Sequence, residues 1–361
     1  MQIAPISFKA VHRVISGKTH GIDDNGIKTD MEMASNARKN GVDVPKYVVK
    51  EFSYETKGEK ASFYRNPISK KHLESVFKNI FILDKQGIYH NDLDLEHIYY
   101  ATDGSIEIDC FRFAQKLQKN NPTLPEFVAP TNQINFETAS LAKYTSTIFD
   151  ENEKRNFVAD YLKASAKFHQ KRSGLIARTL ETGNSENYSP KMLDYEQVKA
   201  QALQNIDDDK ISLTLQRLDF LGKQRMAFTE WDEGNGACGH EFSKERRINS
   251  ILMYFDALNS AIEYSNQAKK LSQNSQGVES KYYAYEAKSG EFFANTYLSW
   301  MRGMAKYNFQ DEKMGSKFSD EEIKAIDAEF KKIINADFDD KKDAIDEYLE
   351  IYNLNSKKLS S

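Results

Sequence analysis

The chain has 361 residues, 40% hydrophobic and 29% charged, with a formal net charge of −4. That length suits two domains, and the mild acidity excludes a global basic field for nucleic acid. No run approaches eighteen apolar residues and MQIAPISFKAVHRV lacks a signal-peptide core, so neither a membrane span nor a Sec signal is expected.

In chain order, PISFKAVHRV alternates as a strand does, and KTDMEMASNARKN reads as a short helix stopped by Gly41. YVVKEFSYE and ASFYRN flank TKGEK, a hairpin signal. Ser69 is placed to cap a helix with apolar positions Leu73, Val76, Phe77, Ile80 and Leu83, and Gly87 is placed to end it. HIYYA and SIEID read as strands around Thr102-Asp103-Gly104. From Phe136 the period turns helical, through FETASLAKYTSTIF and NEKRNFVADYLKASAKFHQKR. TGNSENYSPK, residues 182–191, is the turn-rich run expected to link two domains.

Beyond it the reading is almost wholly helical: RINSILMYFDALNSAI, EFFANTYLSWMRGMAKY, DEEIKAIDAEFKKII and KDAIDEYLEIY. Aromatics such as Tyr282, Tyr283, Phe292, Phe293, Tyr297 and Trp300 lie at helical spacing and are expected to pack a core, with a partner groove the second reading. Two cysteines, Cys110 and Cys238, make no disulfide framework and suit a reducing compartment. GNGACGHEF pairs Cys238 with His240, but two ligands without a second cluster read as a glycine-rich turn rather than zinc. ADFDDKKDAIDEYLE lacks the central Gly of a calcium loop and reads as an acidic helix start.

The stretch that carries chemistry is GIYHNDLDLEHIYYATDGSIEIDCFRFA, residues 87–114. Singly, His90 suits a core, Asp92 a turn and Asp109 a strand end. In sequence, a helix, His90-Asn91-Asp92-Leu93, a hairpin and then Asp109 make an ordered set. That set resembles the catalytic core of a protein kinase, where a His-x-Asp loop precedes a two-stranded ribbon ending in a metal-binding Asp. The layout is similar to the minimal kinase-like effectors that bacteria deliver by type III secretion.

The resemblance implies an α+β fold: a truncated, bilobal kinase-like domain over 1–181, with an N-lobe to about residue 66 and a C-lobe over about 67–181. An α-helical domain over 192–361 follows it. It also implies ATP and Mg²⁺ as cofactors and a host protein as substrate or partner, with the protein secreted into the host cytoplasm. Asp92, supported by His90, would orient or deprotonate the acceptor hydroxyl, and Asp109 would hold the metal. Lys9 with Glu32 would position the phosphates, Tyr64 and Asn66 would belong to the hinge beside adenine, and Glu137 would buttress the loop.

The pattern departs from the family in three places. His97 stands where the second metal ligand is normally Asn, and is counted with the cofactor-binding set. Asp109-Cys110-Phe111 replaces the usual Asp-Phe-Gly, and no room precedes Lys9 for a Gly-rich loop, so either the lysine is Lys18 or Lys28 or the N-lobe is incomplete. The favoured function is thus ATP-dependent phosphoryl transfer to a protein hydroxyl. A pseudokinase that recruits a host partner is the alternative, and a small-molecule phosphotransferase the third.

Overall fold

The computed structural model describes residues 12–16, 24–45, 47–50, 53–57, 59–60, 68–100, 106–116, 130–183, 188–236 and 243–310, with 321, 324 and 328 singly. The chain divides into two compact units, Met1–Asp207 and Asp208–Ser361. The first is α+β; the described part of the second is helical.

The first unit opens with β1 (His12–Ser16) and α1 (Asp24–Lys39), which ends before Gly41 at φ 92°. β2 (Tyr47–Lys50) and β3 (Ser53–Lys57) then complete a three-stranded antiparallel sheet ordered β1-β3-β2. The register sets Lys50 opposite Ser53, so the hairpin closes inside YVVKEFSYE and not around TKGEK as expected. The short β4 (Glu59–Lys60) belongs to a different sheet. TKGEK therefore marks the passage between sheets, a step that local turn chemistry cannot distinguish from a hairpin.

α2 (Lys70–Lys85) forms as its sequence dictates. Ser69 Oγ accepts the His72 N–H, and His72 Nδ1 accepts the Ser69 N–H, a reciprocal cap that satisfies two donors at the helix start. Leu73, Val76, Phe77, Ile80 and Leu83 are all buried, and Gly87 leaves the helix at φ 62°. Phe77 meets Phe136, Tyr161 and Phe168 at ring separations of 6.3, 5.8 and 5.1 Å, which makes it the hub of this core.

Next come β5 (Ile88–Tyr89), β6 (Ile98–Tyr100), β7 (Ile106–Ile108) and β8 (Gln115–Lys116). β6 and β7 form an antiparallel ribbon with β4 on its other edge, and β5 pairs with β8. α3 (Thr131–Phe136), a wider π-type turn at Glu137–Leu141, and α4 (Ala142–Ser146) run on as one helical segment. α5 (Glu151–Glu181), capped by Asp150, packs on α2 and on α6 (Pro190–Ala202).

The division between units falls after α6 and not in the 182–191 run. Glu196 of α6 is fully buried, 2.6 Å from His169 Nδ1 and bonded to the Arg172 guanidinium, both of α5. Burial alone would raise the Glu196 carboxyl, but Arg172 and His169 together hold it below the usual carboxylate range. A linker read from composition misses this, because a buried ion pair across a turn leaves no local mark.

In the second unit, α7 (Asp208–Gly234), α8 (Lys244–Asn274) and α9 (Gly277–Gln310) pack in succession, α7 on α8 and α8 on α9. Tyr282, Tyr283, Phe293 and Tyr297 are buried as their helical spacing predicts, beside Phe220, Tyr254 and Tyr264, whereas Trp300 is exposed. Cys238 and His240 of GNGACGHEF and the acidic run after residue 335 lie outside the described residues. No described helix is long and apolar enough to cross a membrane.

Candidate functional site

The site is built where β5 delivers the chain into the loop 90–94 and the β6–β7 ribbon returns beside it. His90 is fully buried, with its ring edge-on to Phe111 at 4.7 Å. Its Nε2 lies 2.9 Å from the Asp109 carbonyl oxygen and its Nδ1 is 3.3 Å from the Asp92 backbone N–H. A carbonyl only accepts and an N–H only donates, so the ring is neutral with its proton on Nε2. Burial pushes its pKa down to about 4, against a smaller opposing pull from Asp92. His90 thus positions the loop and reaches no surface at which a substrate could touch it. The catalytic share expected of it becomes a positioning role.

A single helix holds the loop from below. Asn132 Oδ1 accepts the His90 N–H at 2.8 Å, while its Nδ2 donates to Ile88 O and to Asp84 Oδ1 at 2.8 and 2.7 Å. Asn135 Oδ1 accepts the Leu93 N–H and Ser140 Oγ donates to Leu93 O, both at 2.6 Å. Glu137, expected to buttress the loop, bonds Gln133 and Tyr161 within the helix layer. Carboxamides suit the task better than a carboxylate, since each supplies donor and acceptor to a buried backbone that needs both.

Only two described non-glycine residues have positive φ, and both are here: Asn91 at 63° and Cys110 at 65°. Asn tolerates that region, and its Nδ2 donates to Phe113 O at 3.0 Å. Cysteine tolerates that region less well than asparagine, and the Cys110 backbone costs about 1–3 kcal/mol. The consequence is geometric. Cys110 Sγ comes to 3.7 Å from Asp92 Oδ2, and His97 Nε2 lies 3.1 Å from the same oxygen. The ligand atoms of Asp92, His97 and Cys110 all fall within 4.8 Å of one another.

The expected metal residue, Asp109, is not one of this converging group. Its backbone continues the ribbon, donating to His97 O at 2.9 Å, and its side chain is fully buried. Mg²⁺ prefers all-oxygen ligation with several retained waters. One carboxylate, one imidazole and one thiol do not meet that need. The residues present therefore do not fit Mg²⁺ as the resemblance would have it.

Glu32 is exposed on α1, the helix that packs against the Phe111–Phe113 turn. Lys9, Tyr64 and Asn66 lie outside the described residues. The structure thus brings together Asp92 and His97 of the expected set and adds Cys110, Asn132, Asn135 and Ser140. The three helix residues had a legible signal: polar side chains three to five apart within TNQINFETAS, on a helix otherwise bearing core residues. No protein-family model matches the chain, and no curated protein matches it either.

Proposed function

We propose that the first unit carries a kinase-like core whose phosphoryl-transfer centre has become a binding site, making the protein a pseudokinase that engages a partner protein. Several features support the kinase-like reading. The loop–ribbon order, the β5–β8 pair that brackets it, and the His90 bond to the Asp109 carbonyl all tie the two ends of the ribbon into one cleft. One observation carries the step from enzyme to binder: the thiol of Cys110 stands beside Asp92, with no second carboxylate among the converging side chains. Phosphoryl transfer needs an oxygen-bound Mg²⁺ against the phosphates, and this donor set is a poor one for it.

The phosphotransferase stands as the second reading, favoured by Asp92, whose side chain keeps 14% exposure at the loop. Transfer of labelled phosphate from ATP to the protein itself or to a host-cell extract separates the two. The pseudokinase reading expects no Mg²⁺-dependent turnover at millimolar ATP. Turnover that Asp92→Ala lowers by about 10²–10⁴ would overturn it, since that is the usual loss on removing a group acting on the acceptor proton. Action inside a host cell, as a delivered effector, belongs to the same proposal. It is tested by host-cell expression of the protein: a host effect without Mg²⁺-dependent phosphate transfer supports binding, and an effect that requires transfer overturns it.

A further inference from the structure

We infer that Asp92, His97 and Cys110 form a binding site for a transition-metal dication of the zinc class. The inference rests on reading this cleft as the protein's binding site, but it uses neither nucleotide nor partner.

The donor set comes first. Thiolate and imidazole select Zn²⁺ over Mg²⁺, and a carboxylate oxygen completes a common mixed set. The spacing comes second. With Zn–N and Zn–O bonds near 2.0–2.2 Å and Zn–S near 2.3 Å, tetrahedral ligation separates N from O by about 3.4 Å and S from O by about 3.6 Å. The corresponding separations here are 3.1 Å for His97 Nε2 to Asp92 Oδ2 and 3.7 Å for Cys110 Sγ to the same oxygen. Both pairs reach ligating geometry by shifts of a few tenths of an ångström.

Burial comes third. His97 is 9% exposed and Cys110 3%, so two of the donors are already withdrawn from water. His97 Nδ1 meets no hydrogen-bond partner among the described residues, so the ring is held in the cluster through Nε2. The left-handed backbone at Cys110 is what turns its thiol toward Asp92.

Without a cation, the Cys110 S–H points to the Asp92 carboxylate. Loading the metal breaks that S–H bond and forms a metal–sulfur bond, with the proton leaving to solvent. The proton on His97 Nε2 that faces Asp92 moves by way of solvent to Nδ1, which frees the Nε2 lone pair for the metal. Three protein ligands leave a fourth position for water or an incoming donor.

The test is titration of untagged full-length protein with Zn²⁺ against a chromogenic chelator, and with Co²⁺ as a spectroscopic stand-in. One equivalent of Zn²⁺ should bind and survive millimolar Mg²⁺. The Co²⁺ form should show a thiolate-to-metal charge-transfer band that Cys238→Ser retains. Cys110→Ser should remove that band, and Cys110→Ser and His97→Ala should each weaken Zn²⁺ at least tenfold, with circular dichroism confirming the fold. Phosphate transfer, if found, would overturn the pseudokinase reading and leave this titration standing. Absence of stoichiometric binding by folded wild-type protein, or a charge-transfer band lost with Cys238→Ser instead, would overturn the metal site.

Discussion

Asp84 closes α2 with its carboxylate between Asn132 Nδ2, at 2.7 Å, and the Arg172 guanidinium, at 3.8 Å. Burial raises its pKa to about 6, and neither Arg172 nor Asn132 restores it. An acid whose folded pKa is raised binds more protons in the native state, so its contribution to stability falls as pH climbs from about 4 to about 6. Asp84→Asn keeps an oxygen for Asn132 and removes the charge. The variant should therefore gain on wild type across that window, by about 2–3 kcal/mol from pH 4 to pH 7. Urea unfolding of both proteins at several pH values reads the difference directly. A gain independent of pH would show that the carboxylate is not held up by burial. Nothing local in the sequence marks Asp84 for this role. Its tie to the His90 loop runs through Asn132, 48 residues further on, and no local pattern records that distance.

Helix starts and apolar faces were open to reading because their causes are local: Ser69 caps the next three residues, and Phe77 lies one turn from Leu73. Contacts between helices are not local, and Gly290 shows the difference. A Cβ there would come 2.8 Å from Tyr264 Cδ1 and 2.9 Å from Ser265 Cβ on α8, so this glycine permits the close approach of α8 and α9. In sequence it is merely a poor helix former. Gly290→Ala should destabilise the protein by about 1–3 kcal/mol through overpacking, despite better helix propensity. Gly303, exposed on the same helix with nothing within 4 Å, is the control. There the same substitution should stabilise by up to about 1 kcal/mol. Thermal melts in which both variants shift the same way would contradict the packing account.

The two-unit organisation could be read from composition, and its boundary could not. The polar run at 182–191 has every mark of a linker, yet α6 beyond it places Tyr195, Val198 and Ala202 in the core of the first unit. Glu196 fixes the matter energetically, since removing one partner of a buried ion pair leaves the other charge uncompensated. Glu196→Ala should cost about 3–5 kcal/mol. A fragment ending at residue 181 should be destabilised at least as much relative to one ending at 207. Urea midpoints of the two fragments decide it; equal midpoints would return α6 to the second unit. The site was half legible for a related reason. Asp92 and His97 sit in a recognisable order, whereas Cys110 enters only through a backbone angle that a cysteine rarely adopts.

The wider turn at Glu137–Leu141 works as a phase adjuster. A regular helix rotates about 100° per residue, so Ser140, eight positions after Asn132, would face about 80° away from it. The π-type turn rotates less per residue and brings Ser140 back into line, which is how both reach the one loop. The turn therefore absorbs one extra residue while holding the aim of the grip. Deleting Thr138 would leave an unbroken α-helix in which Ser140, now seven positions after Asn132, lies within about 20° of it and still meets Leu93 O. Such a deletion variant should keep its helical circular dichroism and its slow amide exchange at His90 and Leu93; quickened exchange at both would show that the turn sets more than the phase.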